Sequence, residues 1–274
     1  MRSTFRRRLG ERLGELFDPQ AIARHWPRRV AASEPLAAAL MDHHRSGRPR
    51  RVKAWRADGV GFEIDTREYF TLEGTLASLD RLAIEHCRGR VLDVGAGAGR
   101  HALVLQALGL EVVAIDVSPI CTELCRKRGV AQAWTLDVMT LDGPERLGRF
   151  DTILFGMQTI GLAGGIRPLG RLLSRLRACL APRGRILVDS SALREPWEGD
   201  HDDDSPERGE IVLSTGYRGW RGVPFPWLYL GEEELREVAG SAGFAMEVLG
   251  RVESGEYLAV LEAALESGLE GAGP

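Results

Sequence analysis

The chain has 274 residues, of which 44% are hydrophobic and 27% charged, with a formal net charge of −3. That length suits one large domain or a domain with an appendage, and the composition is ordinary for a soluble globular protein. No apolar run approaches the roughly 20 residues that a membrane-spanning helix needs.

The first residues, MRSTFRRRLGERLGELF, are Arg-rich, but Glu11 and Glu15 do not suit a transit peptide and there is no apolar signal-peptide core. The expectation is a helix of a cytoplasmic protein. From Met1 to Arg56 there are 14 Arg or Lys against 5 Asp or Glu, so this segment carries +9 and the remainder −12. Such a segment can meet nucleic acid, an acidic peptide or an anionic membrane surface. The helical spacing of Phe5, Leu9, Leu13 and Leu16 favours the solvated face of a packed helix. Residues 1 to about 60 read as helices with a break at SGRPRRVK, followed by a turn at ADGVG. YFTLEGTLASLDRLAIEHC then has the apolar spacing of one helix ending before Arg88-Gly89.

From there the pattern alternates. Strand-like runs at RVLDVG, EVVAID, AQAWTLDV, FDTILFG and RILVDS are separated, for the most part, by the helical candidates HALVLQALG, PICTELCRKRG and LGRLLSRLRACLA. Short apolar strands alternating with helices imply a doubly wound α/β domain, its parallel sheet covered on both faces. The alternation ends in a helix, EEELREVAGSAGF, and two strands, FAMEVLG and EYLAVLEA, whose short link favours an antiparallel pair. Residues 190–231 are a long irregular insertion in which IVLSTGYRG and PWLYL look like strand additions able to roof a pocket, and residues 263–274 read as a flexible tail. HDDD at 201–204 invites a metal reading, but adjacent loop residues do not easily face one ion, and a solvated acidic loop is preferred. Cys87, Cys121, Cys125 and Cys179 lack zinc-site spacing and read as buried free thiols, so no metal is expected.

VLDVGAGAGR packs Gly95, Gly97 and Gly99 between a strand and a helix, where glycine lets backbone approach a ligand closely. Asp116 closes the next strand 21 positions after Gly95, well placed to accept hydrogen bonds from ribose hydroxyls. A nucleoside-containing cofactor follows. Dinucleotide loops run G-x-G-x-x-G, whereas this one is G-x-G-x-G with Asp93 ahead of it. A carboxylate there repels a pyrophosphate and suits an ammonium group.

The chain here resembles the class I S-adenosylmethionine-dependent methyltransferases. VLDVGAGAGR is similar to their first motif and VVAIDVSP to the segment after it, LDV at 136–138 to the acidic position near adenine, FDTILFGMQTIGLAG to the fourth motif, and LAPRGRILVDS to the stretch before the fifth strand. The resemblance covers residues 65–262 and implies a mostly parallel seven-stranded Rossmann-like sheet with an antiparallel C-terminal strand. Residues 1–64 and the insertion at 190–231 would then be a lid. It implies S-adenosyl-L-methionine as cofactor and S-adenosyl-L-homocysteine as product. By position, it puts Asp93 and Gly95, Ala96, Gly97 and Gly99 at the methionine portion, Asp116 at the ribose, and Val117, Asp137 and Val138 at the adenine. Gly156 and Met157 would close the pocket, with Tyr69 above the cofactor.

A sulfonium makes its methyl group electrophilic, so the protein mainly aligns a nucleophile and excludes water; a base is needed only for a protonated nucleophile of high pKa. Gln158 and Thr159 are the polar side chains nearest the expected methyl position, although Thr159 suits a helix cap equally. His101 is a candidate base, because imidazoles titrate near neutrality, or else a hydrogen-bonded structural residue. Tyr217, Arg218, Trp227 and Tyr229 are candidates for a substrate wall or for packing under a lid. GMQTIG replaces the D/N/S-P-P-Y/F motif of methyltransferases that act on nucleobase amines, which argues against nucleic acid. The expected acceptor is a small molecule or a peptide. The alternatives are a non-catalytic cofactor-binding protein and, against the loop pattern, an NAD-dependent oxidoreductase.

Overall fold

A computed structural model describes residues 28–72, 77–193 and 209–264. The expectations for Met1–Phe17, for HDDD at 201–204 and for most of the tail lie outside the described residues. The chain enters as helix α1 (Arg28–Ser46) and forms a hairpin of β1 (Arg51–Arg56) and β2 (Gly61–Asp65). A 3-10 turn at Thr66–Tyr69 precedes α2 (Ala77–His86). The alternating part comprises β3 (Arg90–Val94), α3 (Arg100–Ala107), β4 (Glu111–Asp116), α4 (Pro119–Arg128), β5 (Gln132–Thr135), β6 (Phe150–Phe155), α5 (Ile166–Ala178) and β7 (Leu180–Ser191). After it come β8 (Glu210–Tyr217), β9 (Trp220–Arg221), β10 (Phe225–Leu228), α6 (Glu232–Ser241), β11 (Phe244–Arg251) and β12 (Glu256–Ala263).

The seven-stranded sheet has the order β11-β12-β7-β6-β3-β4-β5. β3 pairs in parallel with β4 and β6, and the parallel run extends to β5 and β7. β12 is antiparallel to both its neighbours, as the paired closing strands imply. β3 shows why this sheet is covered twice. Leu92 and Val94 join one core with Phe155, Leu169, Leu173 and Ile186, while Val91 joins a second with Ala102, Leu105 and Leu258. In α5, Leu169, Leu172, Leu173 and Leu176 recur at helical spacing and are fully buried. Each contributes about 1.5–3 kcal/mol by leaving water. α4 is bounded by Ser118, whose hydroxyl accepts from Ile120 and Cys121 N–H, and by Gly129 in the left-handed region.

The strands expected at IVLSTGYRG and PWLYL form, and they join an unexpected hairpin in a second sheet. Its strands run β10-β8-β1-β2, with β9 on β8, and all its pairings are antiparallel. Residues 51–65 are therefore a hairpin, not the end of a helical segment. RVKAWR alternates exposed and inward positions with period two, and ADGVG supplies its turn. The insertion contributes β8, β9 and β10, so two segments far apart in sequence form one layer. α1 packs against β8 and α4. Pro35 lies inside α1, and the Thr215 hydroxyl donates to Ala32 O beside that irregularity at 3.2 Å.

The single helix expected from Tyr69 to Cys87 is also corrected: Thr66–Tyr69 is a 3-10 turn, residues 70–72 are not helical, and α2 is described over Ala77–His86. The carbonyls of Glu68 and Thr71 accept from Arg100 Nη1, at 2.6 and 2.8 Å.

Candidate active site

The glycine loop turns from β3 into α3. Gly95, Gly97 and Gly99 all have positive φ, at 71°, 55° and 76°, which other residues resist. A Cβ at Gly95 would stand 2.9 Å from Thr159 Cγ2, and one at Gly97 would stand 3.3 Å from the Tyr69 ring. The Gly95 and Ala96 N–H groups donate to Ile115 O. The Gly97 N–H donates to Asp116 Oδ2 at 2.9 Å, and the Ser118 N–H to Oδ1 at 2.8 Å. Burial pushes the Asp116 carboxyl up to about 6, against those two N–H groups, which pull it down. One donor on each oxygen leaves lone pairs for further hydroxyl donors.

Two adjoining cavities meet at this loop. One, of about 200 Å³, is lined by Gly95, Asp116, Val117, Asp137, Val138, Thr159 and Leu162, with Arg29, Ser33 and Leu36 of α1 above. Asp137 Oδ1 accepts from the Met139 N–H at 2.9 Å, and its Oδ2 pairs with Arg29 Nε at 3.5 Å. Arg29 Nη1 also donates to Leu162 O at 2.7 Å, so α1 is fastened across this cavity. The other, of about 260 Å³, shares Gly95, Asp116, Thr159, Phe225 and Trp227 with the first. It adds Tyr69, Ala96, Gly97, His101, Gly156, Met157 and Gln158 from below, and Phe62, Leu213 and Tyr229 from the second sheet. A broader surface hollow between α5 and α6, of about 860 Å³, touches none of these residues.

At the end of β6 the backbone is strained. Met157 and Gln158 have φ of 57° and 59°, a region that costs a non-glycine residue on the order of 1–3 kcal/mol. The Gln158 N–H donates to Asp189 Oδ1 at 2.7 Å, and Gln158 Nε2 to Ser191 Oγ at 3.3 Å, both from the end of β7. Burial raises the Asp189 carboxyl to about 7. The Thr159 hydroxyl donates to Val94 O at 3.1 Å, joining the ends of β6 and β3.

His101, in the first turn of α3, is 6% exposed and lines the second cavity. Its Nε2 bonds Asp80 Oδ1 at 2.8 Å, and Arg100 Nη2 pairs with Asp80 Oδ2. Gly156 leaves room for the imidazole, since a Cβ there would meet His101 Cε1 at 2.6 Å.

The structure thus brings Tyr69, Gly95, Ala96, Gly97, His101, Asp116, Val117, Asp137, Val138, Gly156, Met157, Gln158, Thr159, Trp227 and Tyr229 to the two cavities. Four other candidates lie away from them. Asp93 is buried on the α3 side of β3, where burial raises its carboxyl against His101 and the Ala102 N–H, and its Oδ2 has no partner. Gly99 packs on Val130 and Cys125. Tyr217 donates to Asp42 at 2.9 Å, and Arg218 pairs with Asp42 at 2.8 Å, beside the β8–β9 turn. Conversely, Ser33, Leu36, Phe62, Thr215 and Phe225 line the cavities without a sequence signal, because their strands and helix are joined only in the fold. Asp80 was hidden inside an ordinary helical pattern. Asp189 had a legible cue as the acid that closes RILVDS.

Among the described residues no three His, Cys, Asp or Glu side chains converge as a metal site, and no helix is long and apolar enough to cross a membrane. Cys121, Cys125 and Cys179 are buried free thiols, and Cys87 is half-buried. The site offers a carboxylate and open backbone for a nucleoside, next to a ring-lined chamber for a second molecule.

Residues 67–248 match a family described as a methyltransferase domain. The fold is similar to the crystal structure of an S-adenosylmethionine-dependent methyltransferase from Bacteroides fragilis in complex with S-adenosyl-L-homocysteine, with a TM-score of 0.75 and 35% identity, over 86% of this chain and 97% of that one. A ribosomal protein L11 methyltransferase from Rhizobium etli is 27% identical over 161 residues, covering 52% of this chain and 51% of that protein. A protein-L-isoaspartate O-methyltransferase from Methylorubrum extorquens is 37% identical over 103 residues, 36% of this chain and 40% of that protein. The chain spans about half the length, or less, of these curated relatives.

Proposed function

The chain belongs to the S-adenosylmethionine-dependent methyltransferase family, and on that premise we propose that its adjoining cavities hold the methyl donor and a small-molecule acceptor. The residues present fit the donor. Asp116 keeps acceptor capacity for the two ribose hydroxyls, and Val117, Asp137 and Val138 form a slot for adenine. The open backbone of Gly95 to Gly97 runs beneath the methionine portion, with Tyr69 over it and Gly156 and Met157 at its end. Asp93 supports the loop from behind, and Thr159 fixes the strand ends between which the donor lies.

The donor, when bound, supplies a methyl group made electrophilic by its sulfonium. The chain's task is to align an acceptor with that methyl and to exclude water. One observation carries the small-molecule reading: the second cavity is a chamber of about 260 Å³ between the glycine-loop end of the large sheet and the second sheet, with Ser33, Leu36, Ala37 and Leu40 of α1 along its wall. Trp227 roofs it, its ring lying so close to Gly161 that a Cβ there would meet Nε1 at 2.5 Å. An acceptor reaches the donor only by fitting inside, which suits a small molecule better than a folded protein or a duplex.

The test has two parts. Calorimetric titration with S-adenosylhomocysteine is expected to show binding that Asp116→Ala weakens. Labelled S-adenosylmethionine, incubated with the enzyme and a cell extract, is expected to mark the low-molecular-weight fraction. Label confined to proteins or nucleic acid would overturn the acceptor class.

A further inference from the structure

Resting on the reading above, we propose that the acceptor carries its nucleophile as a hydroxyl on an uncharged aromatic ring, and that His101 takes the hydroxyl proton while Asp80 positions the imidazole. The chamber supplies the rings: Phe62, Tyr69, Phe225, Trp227 and Tyr229 all line it. Phe225 and Trp227 meet edge to face with centroids 6.2 Å apart, an arrangement that leaves flat faces for a third ring.

The charges argue for a neutral acceptor. Asp116 holds two backbone N–H groups and keeps its remaining lone pairs for the donor's ribose, Asp80 pairs with His101 and Arg100, and Asp189 accepts from the Gln158 N–H. Arg100 spends its terminal nitrogens on Glu68 O, Thr71 O and Asp80. Among the described residues, the charged side chains that line the chamber, Asp116 and Arg100, are thus engaged by the protein or reserved for the donor, and only Arg100 Nε has no partner.

The proton acceptor follows from the geometry of His101. A carboxylate only accepts hydrogen bonds, so the 2.8 Å contact of Nε2 with Asp80 puts the ring proton on Nε2 and leaves a lone pair on Nδ1. Among the described residues no protein group bonds Nδ1, and the Cε1–Nδ1 edge lies against Gly156 at the chamber wall. Although burial opposes it, His101 and Arg100 hold the Asp80 carboxyl below its ordinary range, so it remains an anion beside the ring. The charged groups that face His101 are Asp80 from α2, Arg100 from α3, Asp93 from β3 and Asp189 from β7.

The step balances. The hydroxyl oxygen's lone pair forms the new carbon–oxygen bond, the carbon–sulfur pair returns to sulfur as a neutral thioether, and the hydroxyl proton passes to His101 Nδ1. The imidazolium keeps its Nε2 hydrogen on Asp80 and later releases the other proton to water.

The probe is 4-nitrophenol, whose anion absorbs visible light. It is titrated across pH against enzyme loaded with S-adenosylhomocysteine. In the wild type, binding is expected to lower the pH at which the phenolate spectrum emerges. His101→Asn is expected to abolish that displacement, Asp80→Asn to shrink it, and Asp80→Glu to restore most of it. With S-adenosylmethionine in place of the product, His101→Asn is expected to lower kcat for ether formation by at least about a hundredfold, and the deficit should narrow at high pH. S-adenosylhomocysteine binding by each variant reports folding and separates the two proposals. If the wild type does not bind it, the function proposed above fails. If it binds but 4-nitrophenol does not, or if His101→Asn ionises the probe as the wild type does, the acceptor and base proposal is overturned.

Discussion

Arg29 Nη1 donates to the Leu162 carbonyl at 2.7 Å, across 133 positions of sequence, and the same guanidinium reaches Asp137 with Nε at 3.5 Å. Helix α1 is thereby tied to the turns after β5 and β6, over the cavity assigned to the nucleoside. Arg29→Ala removes both ties. Its side chain is 37% exposed, so solvent screens part of the effect. S-adenosylhomocysteine affinity is expected to fall about 3- to 10-fold, chiefly through faster release. Stopped-flow displacement measures this, and an unchanged dissociation rate would show that α1 is not a closure.

Substitution of Asp116 is expected to cost more donor affinity than that of Arg29. Asp116→Ala removes the proposed ribose contacts and also the acceptor for the Gly97 and Ser118 N–H groups. Hydrogen bonds to charged groups contribute about 1.5–3 kcal/mol, so affinity should drop at least about tenfold. Asp116→Asn keeps an acceptor of the same shape and is expected to lie between the two. Equal affinities across the series, by calorimetry, would remove Asp116 from the donor site.

Gly156 is a packing test of the His101 position. A methyl group there would meet His101 Cε1 at 2.6 Å, closer than non-bonded carbons approach. In Gly156→Ala the imidazole must move off Asp80 or the end of β6 must shift. The expected outcome is a fall in kcat of about tenfold or more with the fold retained. Full activity would mean that the imidazole has no fixed role.

Glu34 gives a pH signature to the α1–α4 contact. It is fully buried, the Ser118 hydroxyl donates to its Oε1 at 2.7 Å, and Oε2 has no partner. Burial raises its carboxyl from 4.5 to about 7, with Ser118 opposing and Asp116 adding to the rise. Below 4.5 the group is protonated folded or unfolded. Between 4.5 and about 7 the unfolded chain loses the proton while the folded one keeps it, so stability falls as pH rises through that window. By linkage the loss is about 3 kcal/mol at most. Glu34→Gln is neutral at every pH and keeps an acceptor for Ser118. Its Tm is expected to exceed the wild type's at pH 8 by several degrees more than at pH 5. A difference independent of pH would mean that Glu34 titrates normally.

The donor half of the site was legible in the sequence because it is built from local pieces. A strand, a glycine turn, a helix, a second strand and its closing acid are consecutive, so the positions of VLDVGAGAGR and Asp116 at one loop follow from the sequence alone. The same holds for the seven-stranded sheet, whose β3, β4 and β6 are apolar on both faces and whose α5 shows its leucines at helical spacing. Asp93 marks the limit of that reading. Its place two residues before Gly95 was correct for the motif, but side chains alternate along a strand, and it points behind the loop with Val91.

The acceptor half could not be read in this way. β1 and β8 pair although about 160 positions apart, and no local pattern states that Ala54 will lie opposite Thr215. The break read at SGRPRRVK conceals the start of β1, and the interleaved Val52 and Ala54 are buried because β8 and α1 cover them. Asp80 looked like any polar residue of an amphipathic helix until packing set it 2.8 Å from His101. The sequence by itself determined the donor loop and the sheet, since periodicity and turn chemistry act between near neighbours. The chamber, its ring-lined walls and the Asp80–His101 pair were decided by tertiary structure alone, because each requires long-range contacts that only the packed chain can hold.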